Sequence, residues 1–550
     1  MILLWVLVSV AVALFAVFPL TDTDIWWHLA CAREWVTTWS PVREPVVNVH
    51  EFFQQSVAFV YNIGGAPLLV AFKAALWGGV FALFLWPARH RSAFKISAII
   101  ALILFVFRFH FEMRPVVFSL VFLGFYWNVL PWLFDEIARV DEKIHCCDSR
   151  LKCLSGTERK CSDRIHKVRL IAALLFLLVL QWVWCKCQGL YILGPIFATL
   201  TLCAKIFATN GKSQTACTKK VVLQTSFVLL LFAMPFFHRE GWDLFLYPFG
   251  LLDRLLGTSP SAAIFASEIA ENRSPFTLLM AGENVLESVL MVALCFVGIF
   301  VSVVRLCRAD TDECSKIEEL PRTLWLVMTA ILVLVAERNF VLFLPVLIAA
   351  FISSSAYFSR LSSLAFRFAR LTHLHFVQHS SARIYENKFS CITRLASVCR
   401  LSSIVLIAFL LGLWVKSLSS YDSAIAYQRV PVAATEWMKA HPHQGRLFND
   451  DRAGGYLAFM NPSDSIFIDG RFMLKTADFF ERYLKYSESP QLFLHDADSL
   501  NIGRVVLPLR YYARWDHLIA VLDASKNWNV MYRDSFFVVI DCIEFASKEY

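Results

Sequence analysis

Charge is scarce in this sequence. Of 550 residues only 17% are Asp, Glu, Lys or Arg, against 57% hydrophobic and 15% aromatic, and the mean hydropathy is +0.56. That shortage excludes a soluble globular chain of this length and predicts several spans of roughly 20 apolar residues. The opening run MILLWVLVSVAVALFAVFPL has no basic flank and no small-x-small cleavage site before Thr21. It reads as a retained anchor, a cleaved signal being the alternative. No phosphate loop, G-x-S-x-G or zinc-protease motif occurs, which removes the signatures of nucleotide-driven, serine-hydrolase and metalloprotease chemistry. There is no internal repeat and no low-complexity tract. The net charge of +8 gives no reason to invoke nucleic acid, because bases beside a membrane set topology first.

What the sequence does contain is apolar segments near 2–20, 66–86, 94–107, 115–134, 169–184, 189–207, 221–237, 284–304, 323–336, 340–355 and 401–416. They predict a mainly α-helical polytopic membrane protein with about eleven transmembrane helices. With the N-terminus inside, connections 87–95, 135–168, 208–220, 305–322 and 356–400 face inward and collect the Lys and Arg residues. This excess on alternate loops is the positive-inside bias. It predicts a multi-pass plasma-membrane protein with a cytoplasmic N-terminus and outward loops at 21–65, 108–114 and 238–283. Cys146, Cys147, Cys153 and Cys161 then lie inside, near His145 and His166. Their spacing lacks paired C-x-x-C units, so they read as free thiols in a basic loop rather than a zinc cluster. Cys185 and Cys187 near the outer face read as reduced and buried, or as paired with another thiol.

Composition changes near residue 417, dividing the chain into a membrane domain, 1–416, and an extracytoplasmic domain, 417–550. In the second, RLFND (446–450), SIFID (465–469), RVVLP (504–508), WNVMY (528–532) and FFVVI (536–540) read as strands. VAATEWMKAHP, TADFFERYLKY and WDHLIAVLDAS read as amphipathic helices, so a small soluble α/β domain is expected.

Several outward residues could carry chemistry. In TDTDIWWHL (21–29), Asp22 and Asp24 are suited to capping a helix that starts near Ile25. Asp24 and His28 would also share one helix face, where a carboxylate and an imidazole can share a proton, bind a metal or orient a hydroxyl. Trp26 and Trp27 read as interfacial anchors at headgroup level, although that does not explain why they stand beside the acids and His28. His50 and Glu51 open a second polar cluster, either the acidic start of an interfacial helix or another acid/base pair. Arg108 and Arg114 in RFHFEMRP, Arg338 in ERNF and Lys186 in CKCQG are bases on the disfavoured side. The planar arginine fork suits phosphate; lipid headgroups, or pairing with Glu112 and Glu337, is the alternative. Glu268 and Glu271 could face one cleft or simply be solvated. In DDRAGGYLAFMNPSDSIFIDGR (450–471), Gly454–Gly455 could open a helix with a bare, anion-favouring N-terminus, or form a turn.

The pattern DTDIWWHLACAREW, HEFFQQ, RPVVFSL and GGYLAFMNPSDSIFIDGR resembles a group of bacterial membrane proteins similar to the GT-C class of integral-membrane glycosyltransferases. The resemblance implies outer loops over a membrane cavity and a sugar donor linked to polyprenyl phosphate whose tail stays among the membrane lipids. It leaves the acceptor unspecified: glycan, lipid or protein. It implies that Asp22 and Asp24 supply a general base or hold a divalent cation, Mg or Mn. It makes Arg108, Arg114 and Arg338 phosphate partners by charge and side. Where the group often carries Asn-x-His-Gly, this chain has Lys186 and Gln188. A catalytically silent scaffold and a lipid-linked-substrate transporter are the rival readings. The transporter would predict charges within the spans, and of these only Lys73 stands out.

Overall fold

A computed structural model describes residues 3–35, 37–42, 47–90, 96–145, 156–209, 214–256, 263–265, 270–308, 313–354, 402, 404–471, 474–510 and 513–543. Each apolar segment contains a helix. Six helices are long and apolar enough to cross a bilayer: Glu51–Ala88, Pro115–Ile137, His166–Cys185, Gly189–Phe207, Val285–Cys307 and Glu337–Ser354. A further path is the pair Val221–Phe237 and Gly241–Gly250, bent by 109°. Leu4–Phe15, Ser97–Val106 and Ile404–Leu418 are apolar but shorter. The chain is a multi-pass membrane protein. Phe59, Leu229 and Phe300 project from its helices with large exposed faces, as side chains do where lipid is the solvent.

The stretch after His50 and the second apolar segment form one run, Glu51–Leu85, broken at Gly64–Gly65. Gly65 sits at φ +62°, a left-handed conformation that glycine adopts without a Cβ clash. The break sets an outer helix at an angle to the span that follows. Inside the bundle the core is dense with aromatics, including Trp77, Trp127, Trp184 and Trp325. A second core, formed by Ile25, Trp26, Phe53, Tyr456, Leu457 and Phe459 among others, joins the outer loop to the C-terminal domain.

That domain holds β1 (Arg446–Asn449), β2 (Ile502–Pro508), β3 (Trp528–Arg533) and β4 (Phe537–Cys542), in the order β1-β2-β4-β3. β1 and β2 are parallel and the other pairs antiparallel. The expected helices form at Val432–Ala440, Ala477–Glu488 and Asp516–Ala524, and Pro490–Leu500 adds another. SIFID does not join the sheet. Its Ile466 makes a parallel bridge with Thr38 of the outer loop, through Ile466 N–H to Thr37 O (3.1 Å) and Trp39 N–H to Ile466 O (2.9 Å). A second bridge joins Leu20 to Ile425. Gly454 and Gly455 lie inside the helix Asp451–Met460, whose start is capped by Asp450 accepting from Arg452 N–H at 3.0 Å. That N-terminus is therefore not bare.

Cys31, Cys185, Cys187, Cys295 and Cys542 are buried free thiols. Cys146, Cys147, Cys153 and Glu268, with the side chains of His145 and Cys161, lie outside the described residues.

Candidate functional site

The site grows from the turn after the first helix. Asp22 Oδ1 accepts from Asp24 N–H at 3.1 Å, so Asp22 satisfies a free donor at the start of the helix Asp24–Cys31. The other oxygen of Asp22 accepts from Arg114 Nε at 2.5 Å. Arg114 stands immediately before the helix that begins at Pro115. The rest of its fork grips Glu271 bidentately, at 2.5 and 2.7 Å. Glu271 arrives on the short turn Ala270–Asn272, which Glu337 N–H ties down through Arg273 O at 3.1 Å. Three remote loops thus meet on one guanidinium. Burial would raise the Glu271 carboxyl, but Arg114 more than reverses this and holds it at about 2. Beside Asp22, Glu112 accepts from the Thr21 hydroxyl, and its main-chain oxygen accepts from Trp77 Nε1 at 2.9 Å. Burial raises the Glu112 carboxyl, and the neighbouring Lys73 acts against that rise. Lys73 is fully buried and donates to Phe18 O at 2.9 Å.

Asp24 is left without such a clamp. Burial pushes its carboxyl up to about 8, the Asp22 carboxylate adds to the rise, and Arg114 and the Trp27 indole oppose it. Arg338 is the complementary group. It lies within electrostatic reach of Glu271, Arg114, Tyr247 and Asp24, its side chain is exposed, and it forms no hydrogen bond or ion pair with a described residue. Asp24 and Arg338 thus share the neighbourhood of Arg114 and Glu271, each without an ion pair among the described residues.

His28 is 2% exposed, and its ring meets His50 edge-on at 5.2 Å and Phe53 at 4.8 Å. It forms no hydrogen bond with Asp24 among the described residues, although both lie on one helix, and its Nδ1 has no partner there. His50 Nδ1 lies 3.2 Å from Cys187 O. Burial lowers both histidines, His28 well below its ordinary value and His50 to about 4, so both are neutral at physiological pH. Glu51 turns aside to Lys186 Nζ at 3.0 Å, which also holds Glu240 at 2.6 Å. Gln188 accepts from Ser119 Oγ at 2.6 Å. The two departures from the Asn-x-His pattern, Lys186 and Gln188, are thus engaged in holding loops together.

Two expected residues sit elsewhere. Arg108 turns onto the rings of Phe105, Phe109 and Trp414, at 4.2, 4.4 and 5.1 Å, and donates to Phe105 O at 2.5 Å. It joins the aromatic interface rather than the Asp24 cluster. Trp26 is fully buried among Tyr61, Tyr456 and Phe459. A Trp26→Ala chain is expected to lose about 3–5 kcal/mol of stability. Thermal unfolding in detergent checks this, and an unchanged midpoint would contradict the placement.

Trp27 points to the site from the opposite side, with the Arg471 guanidinium 5.5 Å from its ring. Nothing in the spacing of FIDGR signals that Gly470 closes over Asp24. A Cβ there would fall on the Asp24 carboxylate and 3.2 Å from Trp27 Nε1.

The donor set suits a cation poorly between Asp22 and Asp24. Both Asp22 oxygens are already engaged, one by a guanidinium, and Glu271 is spent on the same arginine. Arg114 thus competes with any cation for Asp22. Donor atoms that could hold a metal do come within 4.8 Å of one another at His110, Glu287 and Glu337.

No protein-family model and no curated protein matches the chain. Solved structures with a similar trace include ArnT from Cupriavidus metallidurans in the apo state, at 13% identity and TM-score 0.48, over 98% of this chain and 97% of that one. The same protein bound to undecaprenyl phosphate matches at 13% identity and TM-score 0.46, over 97% and 96%. The oligosaccharyltransferase of Archaeoglobus fulgidus in complex with Zn and sulfate is similar at 12% identity and TM-score 0.45, over 92% of this chain and 68% of that one.

Proposed function

We propose that the chain is a membrane glycosyltransferase that moves a sugar from a polyprenyl-phosphate donor to an acceptor on the outer side of the membrane. The observation that carries this reading is one cluster around Arg114 and Glu271 that holds both Asp24, a carboxyl raised by burial, and Arg338, a cation with no hydrogen bond or ion pair among the described residues. In the step, the acceptor oxygen attacks the anomeric carbon and gives its proton to Asp24. The bond from that carbon to the phosphate oxygen breaks, and the lipid phosphate leaves with the electron pair. Arg338 meets the charge that develops on the phosphate. Arg114 holds Asp22 and Glu271 in place, and its positive charge adds to the field at the leaving group. The neutral His28–His50 pair packs with Trp27 behind Asp24 and backs the helix that carries it. A donor that already carries its activating phosphate needs no nucleotide, in keeping with the missing phosphate loop.

The test is to incubate purified protein with a panel of polyprenyl-phosphate sugars and to measure release of the free lipid phosphate. No release from any donor by well-folded protein would sink the reading and favour a silent scaffold. Because a guanidinium occupies the acidic cluster, transfer in EDTA is expected to stay within about twofold of the untreated rate, no charge-neutralising role being left for an ion there. Orientation has its own check. Cys31 is buried and a poor reporter. An impermeant maleimide is expected to modify an exposed Ser420→Cys from outside intact cells and to reach exposed Cys307 only after lysis. The reverse pattern would turn the site to the cytosol.

A further inference from the structure

Resting on the assignment of Asp24 as base, we propose that the C-terminal domain is part of the transfer machinery, and that its turn Asp469–Gly470–Arg471 is a positioning element that fixes the Asp24 carboxylate. The chain of contacts starts at the end of β1. Asn449, fully buried, donates from Nδ2 to Ile468 O at 2.7 Å and accepts from Phe467 N–H at 2.8 Å, so the sheet edge holds the segment leading into the turn. Asp469, also buried, accepts from Arg471 N–H at 2.9 Å and from its Nε at 3.0 Å, closing the turn on itself. The Arg471 fork then crosses to the first outer loop, donating to Trp35 O at 2.5 Å and Thr37 Oγ1 at 2.9 Å. Between these fastenings, Gly470 presents bare backbone to Asp24.

A methyl group on Gly470 would fall on Asp24 Oδ1 and 3.2 Å from Trp27 Nε1, so the carboxylate would have to move. Gly455 makes a matching approach to the next turn of the same helix, where a Cβ would lie 2.7 Å from Trp27 N. Two glycines of one domain therefore lie flush against the helix that carries the base. The backbone of Gly470 closes one side of the carboxylate, which limits the directions it can face. Groups that must sit within a fraction of an ångström of a reacting atom need this kind of support.

The experiment is Gly470→Ala in the full-length chain in detergent, with Gly250→Ala, whose Cβ meets nothing, as control. kcat is expected to fall ~100-fold, the cost of about 1 Å of misplacement, with KM for the polyprenyl-phosphate donor unchanged. The melting temperature is expected to fall by a few degrees. The same substitution in an Asp24→Ala background removes the struck carboxylate, so the drop there should be less than half as large. Parent-like kcat in Gly470→Ala, or an equal thermal drop in both backgrounds, would overturn the proposal. The thermal cycle needs no turnover, so it decides this proposal even where every donor fails and the transferase reading falls. Should Gly470→Ala not fold, Thr37→Val removes the contact from Arg471 across the domain boundary. It is expected to lower kcat about tenfold at constant KM, and an unchanged kcat would count against the proposal equally.

Discussion

An Asp24→Asn chain is expected to fold, insert and bind donor, yet to transfer sugar about 100- to 10,000-fold more slowly than the parent, the usual worth of a positioned base. The substitution keeps the shape of the side chain and removes its ability to take a proton. Asp24 has no ion pair of its own to lose among the described residues, whereas Asp22 is held by Arg114. The pH profile gives a second signature. Burial and then the Asp22 carboxylate raise Asp24 to about 8, so at neutral pH most of the free enzyme carries it protonated and unable to act. The parent's kcat/KM is therefore expected to climb as pH rises through about 8 and to level off above it. The residual rate of Asp24→Asn should lack that limb. A parent profile that falls over the same range, or an Asn variant with parental kcat, would remove Asp24 from the base role.

Arg338→Gln is expected to cost 100- to 1,000-fold in kcat/KM, the range found when a preorganised donor to a developing anion is removed. It should do so at nearly unchanged melting temperature, since its exposed side chain has no partner among the described residues to abandon. Arg114 is a poorer probe of the same idea. Breaking its grip strands Asp22 and Glu271, and leaving an enclosed charge unpaired costs on the order of 3 kcal/mol of stability. Arg108→Gln serves as the control: it removes stacking on Phe105 and Trp414 and should leave transfer intact. Equal losses at Arg108 and Arg338 would mean that charge on the outer side, rather than placement, is what matters.

The helices were legible because hydropathy over some twenty residues is a strong signal, and each apolar segment became one. The C-terminal α/β alternation was legible for the same reason at a shorter period. What escaped was pairing across distance. SIFID has the composition of a strand, and nothing local to it says that its partner is Thr38 rather than the sheet. Trp26 and Trp27 are neighbours in sequence and lie about 100° apart around a helix, so both are buried but one packs on Tyr456 and Phe459 while the other lies beside Gly470 and Arg471. Arg108 and Arg114 share a loop and a charge, yet only Arg114 stands at the entry to a helix facing Asp22. The sequence marked Asp22, Asp24, Arg114, Arg338 and Glu271 as candidates by residue type and side of the membrane. Their convergence depends on four separate loops meeting, and no spacing rule reports that.

The bridges from Leu20 to Ile425 and from Thr38 to Ile466 tie the beginning of the chain to its far end. During synthesis the helix with Trp26 is made long before Tyr456 and Phe459, the rings that cover it. For that interval its apolar surface waits uncovered. A ribosome that stops before residue 450 therefore leaves Trp26 without its cover.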